Sequence, residues 1–413
     1  MTASAKRRVV VTGMSAITSI GSDWKTFENN LRSGKTGICL LPEWQEVEGL
    51  NTALAGPVND FQRPTHYPRK KIRSMGRVSL MATVATEKAL DQSGLLDNEL
   101  VSGGHMGIAY GSSTGSTDPI RAFGHLLEKR QLSGVNATSY IKMMSHTAPV
   151  NIALFFSVRG RIIPTSSACT SGSQAIGMAY EAIANGQQDL MIAGGAEELC
   201  ITEAAVFDTL FATSVRNDRP DLTPRPFDRD RDGLVIGEGA GTLILEELES
   251  AQSRGATILA EVVGFGTNMD GAHVTQPTAE TMATAMKLAL EDALLPSTAI
   301  GYVNAHGTAT ERGDIAESMA THSVFGSKIP ISSLKSYLGH TLGACGAIEA
   351  WSSINMMNND WYAPTVNLEQ VDDACAELDY IMGEGRQLKN EYVMSNNFAF
   401  GGINTSLIFR RWQ

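Results

Sequence analysis

Three settings in this chain have the residue types for acyl transfer. Cys169 stands in SSACTSGSQ, where the β-branched run RIIPTSSA (161–168) gives way to the helical pattern SGSQAIGMAYEAIANG (171–186). A thiol at such a strand-to-helix turn would meet free N–H groups and the positive end of a helix dipole, which favour thiolate over thiol. The turn would also lift the sulfur clear of the sheet, as a nucleophile elbow does. A small core thiol is the plainer reading of any one cysteine, but a core thiol needs no Ser/Thr/Gly turn around it. Cys39, Cys200, Cys345 and Cys375 lack this setting; Cys345 in GACGAI reads as packing against a neighbour, and Cys375 in DDACAE as incidental.

Two histidines end apparent strands among small residues: His306 in NAHGTATERGD, and His340 in KSYLGHTLGACG with Lys335 just before it. Together they form a convergent polar set. His66, His105, His125, His146, His273 and His322 have no comparable setting. No HExxH occurs, so the pattern predicts no zinc site and no metal. NNFAFGGIN (396–404) is a glycine-rich turn after a strand. Without GxxxxGK[ST] it reads less as a phosphate cradle than as a source of an oxyanion N–H. PFDRDRDGLVIGEGAG (226–241) reads as a salt-bridged structural loop; its arginines and the missing twelfth-position Glu exclude an EF-hand.

The elements that must position these residues alternate between strand and helix, which implies an α/β layered fold. RVVVTGM (8–14), HMGIAYG (105–111), RIIPTSSA, DLMIAGG (189–195) and AGTLILEE (240–247) read as strands. So do LAEVVGFG, IGYVNAHG, IPISSLKS, EYVMSNNFAFGG and NTSLIFRR after residue 259. Helices are expected at 78–94, 171–186, 280–295 and 345–360. Roughly five strands in each part suggest two similar halves, 1–250 and 259–413, with no Pro/Ser-rich linker between them.

Composition bounds the function. The 413 residues hold 33 Lys and Arg against 44 Asp and Glu, a net charge of −11. That argues against general nucleic-acid binding or an anionic membrane surface, and leaves anionic partners only a local basic patch. Five widely spaced cysteines and no CxxC point to a reducing, cytoplasmic setting. The N-terminal MTASAKRRVVVTGM is too short in apolar residues for a signal peptide, and no apolar run is long enough for a membrane span.

Taken in order, ACTSG around Cys169, RPFDRDRDGLVIGEGAG (225–241), NAHGTAT (304–310), SLKSYLGHTLGACG (333–346) and NNFAFGGIN give the chain a clear likeness. It resembles the 3-oxoacyl-[acyl-carrier-protein] synthases, the thiolase-fold condensing enzymes, and most of all their type II elongating branch. The resemblance implies a thiolase-like fold of two similar βαβαβαββ halves in an αβαβα sandwich. It implies an acyltransferase that condenses an acyl group held on Cys169 with malonyl-carrier protein, with loss of CO2. His306 and His340 would bind the malonyl thioester carbonyl and stabilise the enolate, and Lys335 would support His340. The N–H groups of Cys169 and Phe400 would form the oxyanion hole, with Phe400 also gating the two substrates. Thr308 and Thr310 would hold the phosphopantetheine arm, and Glu349 would be a buried structural acid. No cofactor is implied in the enzyme, because the pantetheine arrives on the acyl carrier protein. A homodimer is implied, and a heterodimer is the alternative.

The Cys–His–His set separates the chain from initiating synthases, which use Cys–His–Asn. NNFAFGGIN has no second cysteine, which disfavours a thiolase acting on coenzyme A thioesters. The presence of Cys169 disfavours a non-catalytic partner subunit. Departures fall near the acyl chain. GSSTGS (111–116) puts Thr114 where a bulkier apolar residue is usual, Ala399 and Ile403 flank the gate, and Met143, Met144 and His146 are unusual in the segment expected at the pocket floor and dimer interface. They suggest an acyl chain that is not plainly saturated, as in aryl polyene or other polyketide-like lipid synthesis. Carrier-protein docking is expected at Arg69, Lys70, Lys71, Arg73 and Arg216.

Overall fold

The β-branched runs become strands of one large sheet. The computed structural model describes residues 6–413, so the first five residues of the segment read as no signal peptide lie outside it. The strands are β1 (Val9–Ile17), β2 (Met106–Gly111), β3 (Ile162–Thr165), β4 (Leu190–Glu197), β5 (Gly239–Glu247), β6 (Ala260–Met269), β7 (Ile300–Asn304), β8 (Pro330–Ser332), β9 (Asp379–Tyr380), β10 (Tyr392–Phe398) and β11 (Ile403–Arg411). Across the sheet they run β9-β8-β7-β10-β11-β6-β1-β5-β4-β2-β3. The helices that matter here are α1 (Arg77–Gln92), α2 (Thr147–Phe156), α3 (Ser171–Ala184), α4 (Ile201–Asp208), α5 (Ala279–Ala293), α6 (Glu311–Phe325) and α7 (Cys345–Asn358).

The pairing pattern occurs twice. β2 lies parallel between β3 and β4, and β4, β5 and β1 then alternate antiparallel. In the second half β7 lies parallel between β8 and β10, and β10, β11 and β6 alternate antiparallel. The runs join where Val9–Val11 of β1 pair with Val262–Ala260 of β6. α3 and α7 cross in the middle, α1 covers β1 and β5, and α5 covers β6 and β11. With each run of the sheet forming its own layer, this is the thiolase-like layering of helix, sheet, helix, sheet, helix.

The central helices come together because their contact positions are small. A Cβ on Gly172 would stand 2.9 Å from the Ala347 nitrogen, and one on Gly346 would stand 2.6 Å from the Ser173 nitrogen. Ala175, Ile176, Ala179, Ala182 and Ile183 of α3 are buried in the same core. Each fully buried Ile contributes roughly 1.5–3 kcal/mol. This close crossing fixes the segment before α3 against the segment before α7, and those segments carry Cys169 and His340.

Four strand readings were too long. RIIPTSSA leaves the sheet after Thr165, IGYVNAHG after Asn304 and EYVMSNNFAFGG after Phe398, and IPISSLKS leaves it after Ser332, so Lys335 opens a helical turn, Lys335–Leu338. The sixth strand of the second half, β9, has only two residues and no apolar alternation to mark it. α6 was hidden for another reason: its buried face carries Asp314, Glu317, Ser318 and Thr321, so no apolar period shows. The loop at 226–241 is salt-bridged: Arg225 pairs with Asp228 at 3.1 Å, and buried Arg231 with Asp372 at 2.6 Å and Asp314 at 3.6 Å. No helix among the described residues is long and apolar enough to cross a membrane.

Candidate active site

Cys169 sits in a single 3-10 turn, Ala168–Thr170, between the end of β3 and the start of α3. Ala168 before it takes φ +49°, the left-handed region, a conformation that stores strain and needs support. Ser171 supplies it: its Oγ donates to the Ala168 carbonyl at 2.7 Å and accepts the Ser167 N–H at 3.0 Å. Thr170 Oγ1 donates to the Ser167 carbonyl at 2.7 Å. The thiol is buried, and burial pushes its pKa up to about 11 against the Phe400 N–H, Lys335 and its own N–H. The expected resting thiolate is therefore corrected to a thiol. The 3-10 turn sets the sulfur just ahead of the α-helix proper, and lost hydration outweighs the donors. Cys345 Sγ donates to the Cys169 carbonyl at 3.1 Å and so braces the same turn.

The two imidazoles are neutral. Burial and the Lys335 charge hold both well below the usual histidine range, and His340 lowers His306 further. Their tautomers follow from their partners. The Leu342 N–H donates to His340 Nδ1 at 3.3 Å, so Nε2 carries the proton and donates to Cys169 Sγ at 2.9 Å. The Lys335 ammonium donates to His306 Nδ1 at 3.2 Å, so Nε2 of His306 is also an N–H. The rings stand edge to face with centroids 5.2 Å apart. One ligating atom from each of Cys169, His306 and His340 lies within 4.8 Å of the others.

Lys335 corrects a second expectation, because its hydrogen bond is to His306 and not to His340. Its ammonium also donates to Glu349 Oε1 at 2.5 Å, and Asn397 Nδ2 donates to Glu349 Oε2 at 2.6 Å. Coulombic attraction to Glu349 raises the ammonium pKa against the burial that would lower it. The charged pair is fully enclosed at the start of the Lys335 turn and on α7.

The NAHGTAT loop hangs from α6, a support the sequence reading missed. Glu317 accepts the His306 and Gly307 N–H groups at 2.7 and 2.6 Å. Asp314 accepts those of Thr308 and Ala309 at 3.0 and 3.2 Å and that of Phe227 at 2.7 Å. Burial pushes their carboxyls up to about 8 and about 6 respectively, so each binds its proton more tightly folded than unfolded. The visible signal was ERGD immediately after the loop, acids at the start of a helix facing free N–H groups.

These groups open into a cavity of about 410 Å3 lined by Cys169, His306, His340, Thr308, Thr310 and Phe400, among others. The two threonine hydroxyls bond each other at 2.9 Å. Phe400 is half-buried and meets Phe207 of α4 edge-on, ring centroids 5.8 Å apart. Gly401 and Gly402 after it take φ +95° and +88°, where a Cβ would be strained. At the rim stand His273, which the sequence reading set aside, and exposed Arg312 and Phe211.

Ala399 also lines the cavity; the residues read as acyl-pocket and carrier-docking positions lie off it. Thr114 is exposed and hydrogen-bonds Glu203 at 3.0 Å; Met143, Met144 and His146 are half-buried at the end of a short helix, Ser139–Met143. Arg69, Lys70, Lys71 and Arg73 are exposed around the turn Arg69–Ile72, with the Lys71 ammonium on the Phe155 carbonyl of α2 at 2.7 Å. Arg216 stands 3.5 Å from Asp232, a cavity-lining residue.

The comparisons with known proteins agree with this geometry. Residues 6–251 match the family "Beta-ketoacyl synthase, N-terminal domain", and residues 259–369 match "Beta-ketoacyl synthase, C-terminal domain". The 3-oxoacyl-[acyl-carrier-protein] synthase 1 of Haemophilus influenzae is 37% identical over 98% of this chain and 100% of its own. A crystal structure of a beta-ketoacyl synthase from Burkholderia phymatum STM815 is 63% identical, covers 98% of this chain and 100% of its own, and superimposes with a TM-score of 0.98. One chain in a structure of a type II PKS acyl-carrier protein in complex with its ketosynthase bound to the hexaketide is 30% identical, with a TM-score of 0.86 over 98% of this chain and 100% of its own. With its two domain matches, its near-complete coverage and its paired imidazoles beside a buried thiol, the chain belongs to the beta-ketoacyl synthase family.

Proposed function

We propose that the chain is a 3-oxoacyl-[acyl-carrier-protein] synthase, joining an acyl group to malonyl-carrier protein in fatty-acid or polyketide-like elongation. The observation that carries this reading is the thiol with two neutral Nε2–H imidazoles within 4.8 Å. In the first step the Cys169 sulfur attacks the acyl thioester carbonyl. The Cys169 and Phe400 N–H groups receive the oxyanion, and the thiol proton ends on the departing carrier thiol. In the second, the malonyl carboxylate leaves as CO2 and the electron pair passes to the thioester oxygen. Two N–H donors aimed at that oxygen stabilise the enolate without a strong base. The enolate then attacks the acyl-Cys169 carbonyl, releasing a 3-oxoacyl thioester and the Cys169 thiolate, which solvent reprotonates. Incubating the chain with acyl- and malonyl-carrier proteins is expected to give CO2 and a product two carbons longer; CO2 without that product would refute the assignment.

Lys335 serves here as a positioning residue. Burial first, and then its charge, keep His306 neutral, so malonyl decarboxylation is expected to show no step near pH 6.5. Replacing it, Lys335→Met, removes a cause of the depressed His306 pKa, and the acid loss of rate shifts upward toward 6.5. The variant also leaves Glu349 buried without its counter-charge, only the Asn397 amide still donating to it, at a cost of about 3–5 kcal/mol in stability. A pH–rate profile beside a melting curve separates the roles: a merely structural lysine would lower Tm and leave the profile in place.

The partner is an acyl carrier protein, and basic side chains are read as its footing. Charge reversal, Arg73→Glu with Arg216→Glu, is expected to raise KM for carrier-bound substrate by about tenfold while sparing small acyl thioesters. An unchanged KM would reject these positions. A homodimer fits the open edge of β3, where Ile162 is exposed and only β2 is paired. The cytoplasm fits a nucleophile that works only as a free thiol.

A further inference from the structure

Among the buried oxygens without a hydrogen-bond partner are two on elements that pack around the nucleophile. One is Ser167 Oγ, two residues before Cys169; the other is Glu203 Oε2 on α4. Both residues are at least nine-tenths buried, with Glu203 5% and Ser167 6% exposed. Buried polar atoms are rarely left unpaired, so each unpaired one needs an account.

Their elements meet in one place. Glu203 Oε1 accepts from Thr114 Oγ1 at 3.0 Å, and the Ser113 N–H donates to Glu197 Oε2 at 2.7 Å. Ser166 Oγ reaches the Ser113 carbonyl at 3.5 Å. The 112–116 loop thus ties the start of α4 to the turn that carries Cys169. Glu203 also stands one helical turn before Phe207, on the same face. Phe207 lines the cavity and meets Phe400. Burial, then the nearby Glu197, raise the Glu203 carboxyl well above the usual range, which favours its protonated form, and a protonated carboxyl can donate as well as accept.

Condensation needs both substrates at once. While the malonyl arm fills the cavity along Thr308 and Thr310, the acyl chain on Cys169 must leave the sulfur elsewhere, and neither Ser167 nor Glu203 lines that cavity. We propose that Glu203 and Ser167 are specificity-determining residues that contact this acyl chain and select one bearing a hydroxyl or carbonyl oxygen over a plain saturated chain. This rests on Cys169 being the acyl carrier. An oxygen on the chain satisfies the two unpaired atoms; an alkyl chain keeps them buried and unpaired, and sites built for hydrogen bonds discriminate strongly against analogues that lack the group.

The test measures the rate of Cys169 acylation by mass, using carrier proteins loaded with chain-length-matched acyl groups. One is saturated, and the others carry a hydroxyl or oxo group at successive carbons. At least one oxygenated chain is expected to acylate wild type about tenfold faster than the saturated chain. Glu203→Leu is expected to bring that ratio near one, Glu203→Gln to keep most of it, and Ser167→Ala to narrow it. If Glu203→Leu does not fold, the Glu203→Gln and Ser167→Ala ratios decide. A wild-type ratio near one overturns the proposal, as does a ratio that survives Glu203→Leu, or Ser167→Ala where that variant has to decide; water alone would then satisfy the carboxyl. No adduct from any chain overturns the reaction reading itself, and the proposal with it.

Discussion

Cys169→Ala is expected to abolish condensation, by at least about 10^4-fold, while malonyl decarboxylation continues. The two half-reactions draw on different atoms. Acyl transfer needs the sulfur as the bond-forming atom, and Cys345, the cysteine that bonds to the Cys169 backbone, cannot replace it. Burial holds the Cys345 thiol well above its ordinary pKa, and its Sγ is committed to the Cys169 carbonyl at 3.1 Å. Decarboxylation needs only the enolate donors. The Leu342 N–H fixes the His340 tautomer and the Lys335 ammonium fixes that of His306, neither through the sulfur. Released CO2 and 3-oxoacyl product, measured in parallel, check the split. Loss of both activities together in a folded variant would mean that the sulfur itself organises the imidazoles.

The second large effect separates those imidazoles. His306→Ala and His340→Ala should each slow decarboxylation by about 10^2–10^3, the usual loss for one donor to a developing oxyanion. They should differ in acylation. His340 Nε2 donates to Cys169 Sγ at 2.9 Å, so His340→Ala removes a donor that stabilises negative charge on the sulfur and slows both steps. His306 bonds instead to Lys335 and takes its backbone support from Glu317, so His306→Ala should leave acylation near wild type. Rapid-quench measurement of each half-reaction gives both numbers. Equal losses in acylation would show that the rings act as one unit.

The site was legible to the extent that its residues sit in local motifs. Cys169, His306 and His340 each lie in a run of small residues that a packed core does not need, and the order of the runs was visible from end to end. What was not legible depends on strand register. Lys335 precedes His340 by five residues, and the family resemblance implied that it supports His340. But β7 and β8 pair in parallel, Asn304 beside Ser332, so the residues just beyond both strand ends are neighbours, and Lys335 meets His306. The state of the thiol was misread for a comparable reason. The helix start is visible in sequence, but the depth at which Cys169 is buried depends on α3, α7 and the Phe400 turn closing around it. Asp314 and Glu317 escaped notice because a helix whose buried face holds carboxylates has no apolar stripe. The doubled strand pattern, by contrast, survives as β-branched runs in each half, which is why the layered fold could be read before the contacts were known.

The most direct measurement is intact-protein and peptide mass spectrometry after mixing the chain with acyl-carrier protein, before and after malonyl-carrier protein is added. One acyl group per chain is expected on the peptide bearing Cys169, discharged on malonyl addition into a product two carbons longer. An adduct on any other residue, no adduct at all, or an adduct that malonyl-carrier protein leaves in place would contradict Cys169 as the condensing nucleophile.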